Sequence, residues 1–133
     1  MISICKTFSF EAAHFLPNHL GKCKNLHGHG FRLEVEISGV PKKGDKDPSK
    51  GMIMDFGRLK EIVNGLIIDR LDHTELNKCF INPTAETMVL KFATMLKSSL
   101  TANNCRVNLE RVRLYETATA YAEWKKEGHY ARP

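Results

Sequence analysis

The stretch HGHGFRLEVEI, His27–Ile37, decides the fold. His27, His29, Phe31, Leu33, Val35 and Ile37 share one parity, and Arg32, Glu34 and Glu36 the other. A period of two is that of a β-strand with one face on a core and one in water. It also forces His27 and His29 to the same side, onto the apolar face. Upstream, ISICKTFSFEAAHF, Ile2–Phe15, repeats the pattern. Ile2, Ile4, Phe8, Phe10, Ala12 and His14 alternate with Ser3, Thr7, Ser9 and Glu11. His14 therefore belongs to the apolar face of its own strand, and three imidazoles can converge at one end of a sheet.

The period then changes. Phe56, Leu59, Ile62, Val63, Leu66 and Ile67 follow helical spacing behind Asp55, a good N-cap. A second helix starts near NPTAE, where Asn82 can cap and Pro83 suits the first turn. Its stripe is Ala85, Met88, Val89, Phe92, Leu96 and Leu100. Alternation returns in RVNLERVRLYET, with Val112, Leu114 and Glu116 on one parity, and AYAEWK pairs with it as a hairpin. The order is ββααββ, an α+β domain spanning 1–133. The expectation is a four-stranded antiparallel sheet with both helices on its apolar face. GVPKKGDKDPSKG, Gly39–Gly51, reads as an exposed connection.

Composition bounds the function. The chain has 133 residues, of which 42% are hydrophobic, so it builds one modest core of a kind often stabilised by oligomerisation. The net charge of +5 is spread along the chain without a basic run. This argues against a nucleic-acid partner and leaves room for an anionic small molecule. Absence of an apolar leader or spanning run sets the expectation of a cytoplasmic protein with no membrane partner. Cys5, Cys23, Cys79 and Cys105 form no CxxC pair; they are expected as free thiols, most of them buried.

Buried imidazoles need partners. Three on one apolar face suit Zn²⁺ and leave a coordination position for substrate, so His14, His27 and His29 are the candidate metal ligands. Cys23, four residues before His27, has two readings. It is a fourth ligand closing the site, or a base whose thiolate the nearby cation favours. Asp72 and His73 are adjacent, as a proton-transfer pair would be, or as an ordinary helix end. Glu116, on apolar parity, needs donors such as a guanidine-like ligand edge, unless the strand has already ended. Thr84 and Glu86, at the second helix start, are candidate ligand contacts, though capping alone also explains them.

Six stretches together resemble the 6-pyruvoyl-tetrahydropterin synthase family: FSFEAAHFLP, CKNLHGHGF, GMIMDFGRLK, LDHTELN, NPTAET and YETATAYAEW. They occur in the family's order and cover nearly the whole chain. The C-x3-H-x-H spacing from Cys23 to His29 looks most like the carboxy branch, the 6-carboxy-tetrahydropterin synthases of the queuosine pathway. The resemblance implies zinc on His14, His27 and His29, with Cys23 as catalytic base and not a ligand. It implies proton transfer by Asp72 and His73, and a pterin ring anchored by Glu116. It also implies the tunnelling fold, assembled as a trimer or a dimer of trimers with active sites between subunits. The implied substrate is 7,8-dihydroneopterin triphosphate, and the implied products are 6-carboxy-5,6,7,8-tetrahydropterin, acetaldehyde and triphosphate. The pyruvoyl synthase reaction and a non-catalytic zinc-stabilised binding protein are the alternatives.

Overall fold

Strand β1, Ile2–His14, and strand β2, His27–Gly39, pair antiparallel along their whole lengths, with Ile2 opposite Gly39 and His14 opposite His27. In the computed structural model, which describes residues 1–103 and 105–128, this ribbon is the centre of the sheet. Asn104 and the last five residues of the expected 1–133 domain lie outside the described residues. The apolar parity of both strands is the buried one: Phe8, Phe10, Phe31, Leu33, Val35 and Ile37 all lie in the core. Phe10 and Phe31, opposite each other, stack with ring centroids 5.0 Å apart.

Helix α1, Phe56–Val63, is capped by Asp55, whose carboxylate accepts from the Gly57 N–H. It continues through a π-helical stretch, Asn64–Ile68, into a short helix α2, Asp69–Leu71. Strand β3, Thr74–Glu75, follows; then come helix α3, Ala85–Ala102, and the hairpin of strands β4, Asn108–Tyr115, and β5, Tyr121–Lys125. The spatial order is β3-β1-β2-β4-β5. Leu59, Val63, Ile67, Met88, Phe92 and Leu96 cover the apolar face and leave a single core.

Four expectations need correction. The sheet has a fifth strand: β3 lies parallel to β1, pairing Ala12 with Thr74 and Ala13 with Glu75. Two residues carry no readable alternation, so only tertiary pairing defines this strand. The cap of α3 is Thr84, not Asn82, because the Thr84 hydroxyl reaches the Thr87 N–H at 3.1 Å. Pro83 therefore precedes the helix and does not open it. Phe56 is 53% exposed, since it sits at the first turn, beyond the stripe that meets the sheet. All four cysteines are free, but Cys5 and Cys79 are exposed and Cys23 and Cys105 only half-buried.

The second sheet face is polar but organised. The Arg111 guanidinium lies 2.9 Å from Glu36, 3.0 Å from Glu34 and 3.4 Å from Glu123, and Arg113 lies 2.7 Å from Glu123. Half-buried guanidiniums facing several carboxylates satisfy their donors without water on that side. No described helix is long and apolar enough to cross a membrane.

Candidate metal centre and catalytic groups

β1 ends at His14 where β2 begins at His27, and the period of two brings His29 to the same face. The rings meet edge-on, with centroids 4.7 Å apart for His14–His27, 5.1 Å for His14–His29 and 4.8 Å for His27–His29. His14 is fully buried. Its Nδ1 donates to the Pro83 carbonyl at 2.8 Å, and the His27 Nδ1 donates to the Asn25 carbonyl at 2.7 Å. A proton held on Nδ1 leaves the Nε2 lone pair free as a ligand, an orientation typical of metal-binding histidines.

The Nε2 atoms of His14, His27 and His29 are all buried and lack a hydrogen-bond partner. A carboxylate joins them: Glu116 Oε1 lies 3.0 Å from His29 Nε2 and 3.7 Å from His14 Nε2, close but not in hydrogen-bonding alignment. One ligand atom from each of the four residues falls within 4.8 Å of all the others. Burial is the main cause that lowers the His29 pKa; His14 and His27 add to the effect and Glu116 opposes it. The lowered pKa favours a neutral His29 ring, and the Nδ1 hydrogen bonds of His14 and His27 leave their Nε2 lone pairs free within the same group. Three nitrogens and one carboxylate suit a divalent metal of borderline softness.

Glu116 was expected to be buried on β4. It lies one residue beyond that strand, and its side chain is 28% exposed. The chain turns back there, with the Glu116 N–H bonded to the Ala120 carbonyl at 3.0 Å. The carboxylate still reaches the cluster from one side and lines a cleft with Glu86, Val89, Tyr121 and Trp124 on the other. Glu86 is exposed at the start of α3. The Thr84 hydroxyl is engaged in the cap, accepting from the Thr87 N–H and donating to the Thr87 hydroxyl at 2.8 Å.

Asp72 and His73 stand at the outer edge of β1. Asp72 Oδ1 accepts from the Glu11 N–H at 2.9 Å and lies 3.0 Å from His73 Nδ1. The His73 N–H in turn donates to the Glu11 carbonyl. His73 has φ +59°, a left-handed conformation unusual for histidine, held by these contacts. Its ring is exposed and shares a surface depression with Glu11, His29 and Glu75. Cys23 sits on a 3₁₀ turn, Lys22–Lys24, half-exposed and outside the metal-capable group. The structure thus gathers His14, His27, His29 and Glu116, and leaves Cys23 and the Asp72–His73 pair outside that group.

Sequence reasoning missed the Pro83 and Asn25 carbonyls, because a main-chain acceptor has no residue signature. It also gave no role to Asn77, whose only signal was its place in LDHTELN.

An α+β domain whose sheet end gathers three histidines and a glutamate that could hold a metal ion is the class this geometry defines. The chain belongs to the 6-pyruvoyl tetrahydropterin synthase family, whose model matches residues 3–127. It is 34% identical to the 6-carboxy-5,6,7,8-tetrahydropterin synthase of Haemophilus influenzae, over 95% of this chain and all of that protein. It is 38% identical to the dihydroneopterin monophosphate aldolase of Pyrococcus furiosus, over 81% of this chain and 83% of that protein. The solved 6-pyruvoyl tetrahydropterin synthase of Caenorhabditis elegans superposes with a TM-score of 0.74 at 27% identity, over 94% of this chain and 95% of that one. The chain is accordingly an enzyme of pterin chemistry, a lyase with the tunnelling fold.

Proposed function

We propose that the chain converts 7,8-dihydroneopterin triphosphate and one water into 6-carboxy-5,6,7,8-tetrahydropterin, acetaldehyde and triphosphate, a step of queuosine synthesis, with Zn²⁺ on His14, His27 and His29. The observation that carries this reading is the trio of buried, unpartnered Nε2 atoms at one sheet end. Zinc bound there supplies Lewis acidity toward side-chain hydroxyls and makes an adjacent C–H more acidic. Cys23, on its own turn and outside the metal-capable group, is the base that takes the side-chain proton. His73, whose ring nitrogen faces Asp72, exchanges protons with the opposite side of the substrate. Asp72 stays ionised for this: the Glu11 N–H holds its pKa down, and His73 adds to that.

Glu116 anchors the amino-pyrimidine edge of the pterin from the cleft it shares with Glu86; Thr84 and Glu86, at the start of α3, are the further substrate contacts. The assembly is a trimer or a dimer of trimers. Two sheet edges support it: among the described residues, β1 has no strand on its outer side from Ile2 to Phe10, and β5 has no strand beyond it.

The experiment is to incubate zinc-loaded protein with dihydroneopterin triphosphate and assay acetaldehyde and the pterin by mass spectrometry. Acetaldehyde with a carboxylated tetrahydropterin is the expected result. Triphosphate release with a three-carbon side chain retained would replace this product by the pyruvoyl one. No turnover by zinc-loaded protein would leave a binding protein.

A further inference from the structure

The loop that carries Cys23 has almost nothing to hold it by burial. None of residues 15–26 is buried, and Leu20 and Leu26, its two free apolar side chains, are exposed. An exposed segment of this kind samples many positions unless hydrogen bonds tether it. Short-range bonds such as His19 N–H to the Leu16 carbonyl and Asn25 N–H to the Lys22 carbonyl shape its turns, but few bonds fix where those turns sit. The Leu16 N–H donates to the Cys23 carbonyl at 2.7 Å, which ties the thiol-bearing turn to the second residue after His14. The Asn25 carbonyl accepts from His27, which ties the far end to the metal cluster.

The third tether comes from a distant part of the chain. Asn77 places its side-chain amide against the Phe15 backbone in both directions. Its Oδ1 accepts from the Phe15 N–H at 2.9 Å, and its Nδ2 donates to the Phe15 carbonyl at 2.8 Å. β3 pairs with β1 only at Ala12 and Ala13. The amide therefore takes over where the strand ladder stops, and fixes the one residue between His14 and the Leu16–Cys23 bond. Leu76, fully buried beside it, gives the amide a rigid mount.

We propose that Asn77 is a positioning residue for Cys23: through Phe15 and Leu16 it holds the thiol at a set place beside the histidine cluster without touching the metal ligands. This rests on the reading of Cys23 as the base. A displacement of about 1 Å at a reacting group costs on the order of 100-fold in rate, whereas substrate binding through other groups is spared. Loss of the clamp should therefore appear in kcat and not in KM or metal content.

The test uses full-length zinc-loaded protein with Asn77→Ala and Asn77→Asp, the latter keeping the acceptor and losing the donor. Four quantities are measured: zinc per chain, kcat, KM, and the rate of Cys23 alkylation by iodoacetamide, followed on the Cys23 peptide by mass spectrometry. Asn77→Ala should keep zinc and KM, lower kcat about 10- to 100-fold, and speed Cys23 alkylation at least about threefold as the turn loosens. Asn77→Asp should fall between it and the parent, and it carries the test if Asn77→Ala does not fold. Parent-like alkylation in both variants overturns the proposal, as does zinc lost in step with kcat. Cys23→Ala separates the two readings: if it keeps turnover, the base assignment fails, while the alkylation rates still report on the clamp.

Discussion

The metal-free fold carries an identifiable burden, and its removal is measurable. Three buried imidazole nitrogens lack partners. Each such group costs about 1–3 kcal/mol. A cation removes the whole burden at once, and zinc at about a thousand times its Kd should add about 4 kcal/mol to folding stability. For a domain of this length that is roughly 12–20 °C in Tm, taking about 3–5 °C per kcal/mol. His14→Phe is the diagnostic change, because His14 is fully buried and packs edge-on against Phe31 at 5.8 Å. The ring volume is largely kept. One orphaned nitrogen disappears, and the Pro83 carbonyl loses its donor. Those two effects are of similar size and opposite sign, each about 1–3 kcal/mol. The chelated variant should therefore lie within about 1 kcal/mol of chelated parent, and the zinc-dependent gap should collapse from about 4 to below about 1 kcal/mol. The assay is calorimetric melting of parent and variant, each with excess zinc and with chelator. A variant that keeps the parent's gap, or a parent with no gap, refutes the reasoning.

Three further outcomes can be checked. Cys23→Ala should keep one zinc per chain and lose at least about 100-fold in kcat, the lower range for a general base; loss of zinc would make the thiol a ligand. Glu116→Gln should keep zinc and weaken pterin affinity by about 1.5–3 kcal/mol, the range for hydrogen bonds to a charged group; unchanged affinity, or metal loss measured by elemental analysis, removes the anchoring role. Asp72 titrates below the ordinary carboxylate value of about 4, chiefly because the Glu11 N–H favours its charged form. A depressed folded-state value gives stability that is present above about pH 4 and lost as pH falls through the lower folded value. In chelated protein, where zinc release cannot contribute, Asp72→Asn should flatten the acid-unfolding curve below about pH 4; curves parallel to the parent's would exclude this linkage.

The long strands were legible because a period of two repeated six times leaves little choice of register. Once His14, His27 and His29 fell on apolar parity, their convergence followed from the pairing of His14 with His27. The amphipathic faces of α1 and α3 were legible for the same reason, at helical period. Local alternatives were not. Asn82 and Thr84 are both good caps two residues apart, and only the direction of the chain entering the helix selects Thr84. Glu116 kept the right face by parity, but parity cannot say that β4 stops at Tyr115.

What orients the site is of another kind. The tautomer of His14 depends on a carbonyl 69 residues away, at Pro83. The Cys23 turn depends on an amide 62 residues beyond Phe15, at Asn77. Both acceptors for imidazole are main-chain groups, which any residue supplies, so no choice of side chain at Pro83 or Asn25 advertises them. The ligands carry the chemistry in their own side chains and can be read from spacing. The groups that aim them carry it in the path of the backbone, and for His14 that path exists only once the chain leading into helix α3 has brought Pro83 to the end of β1.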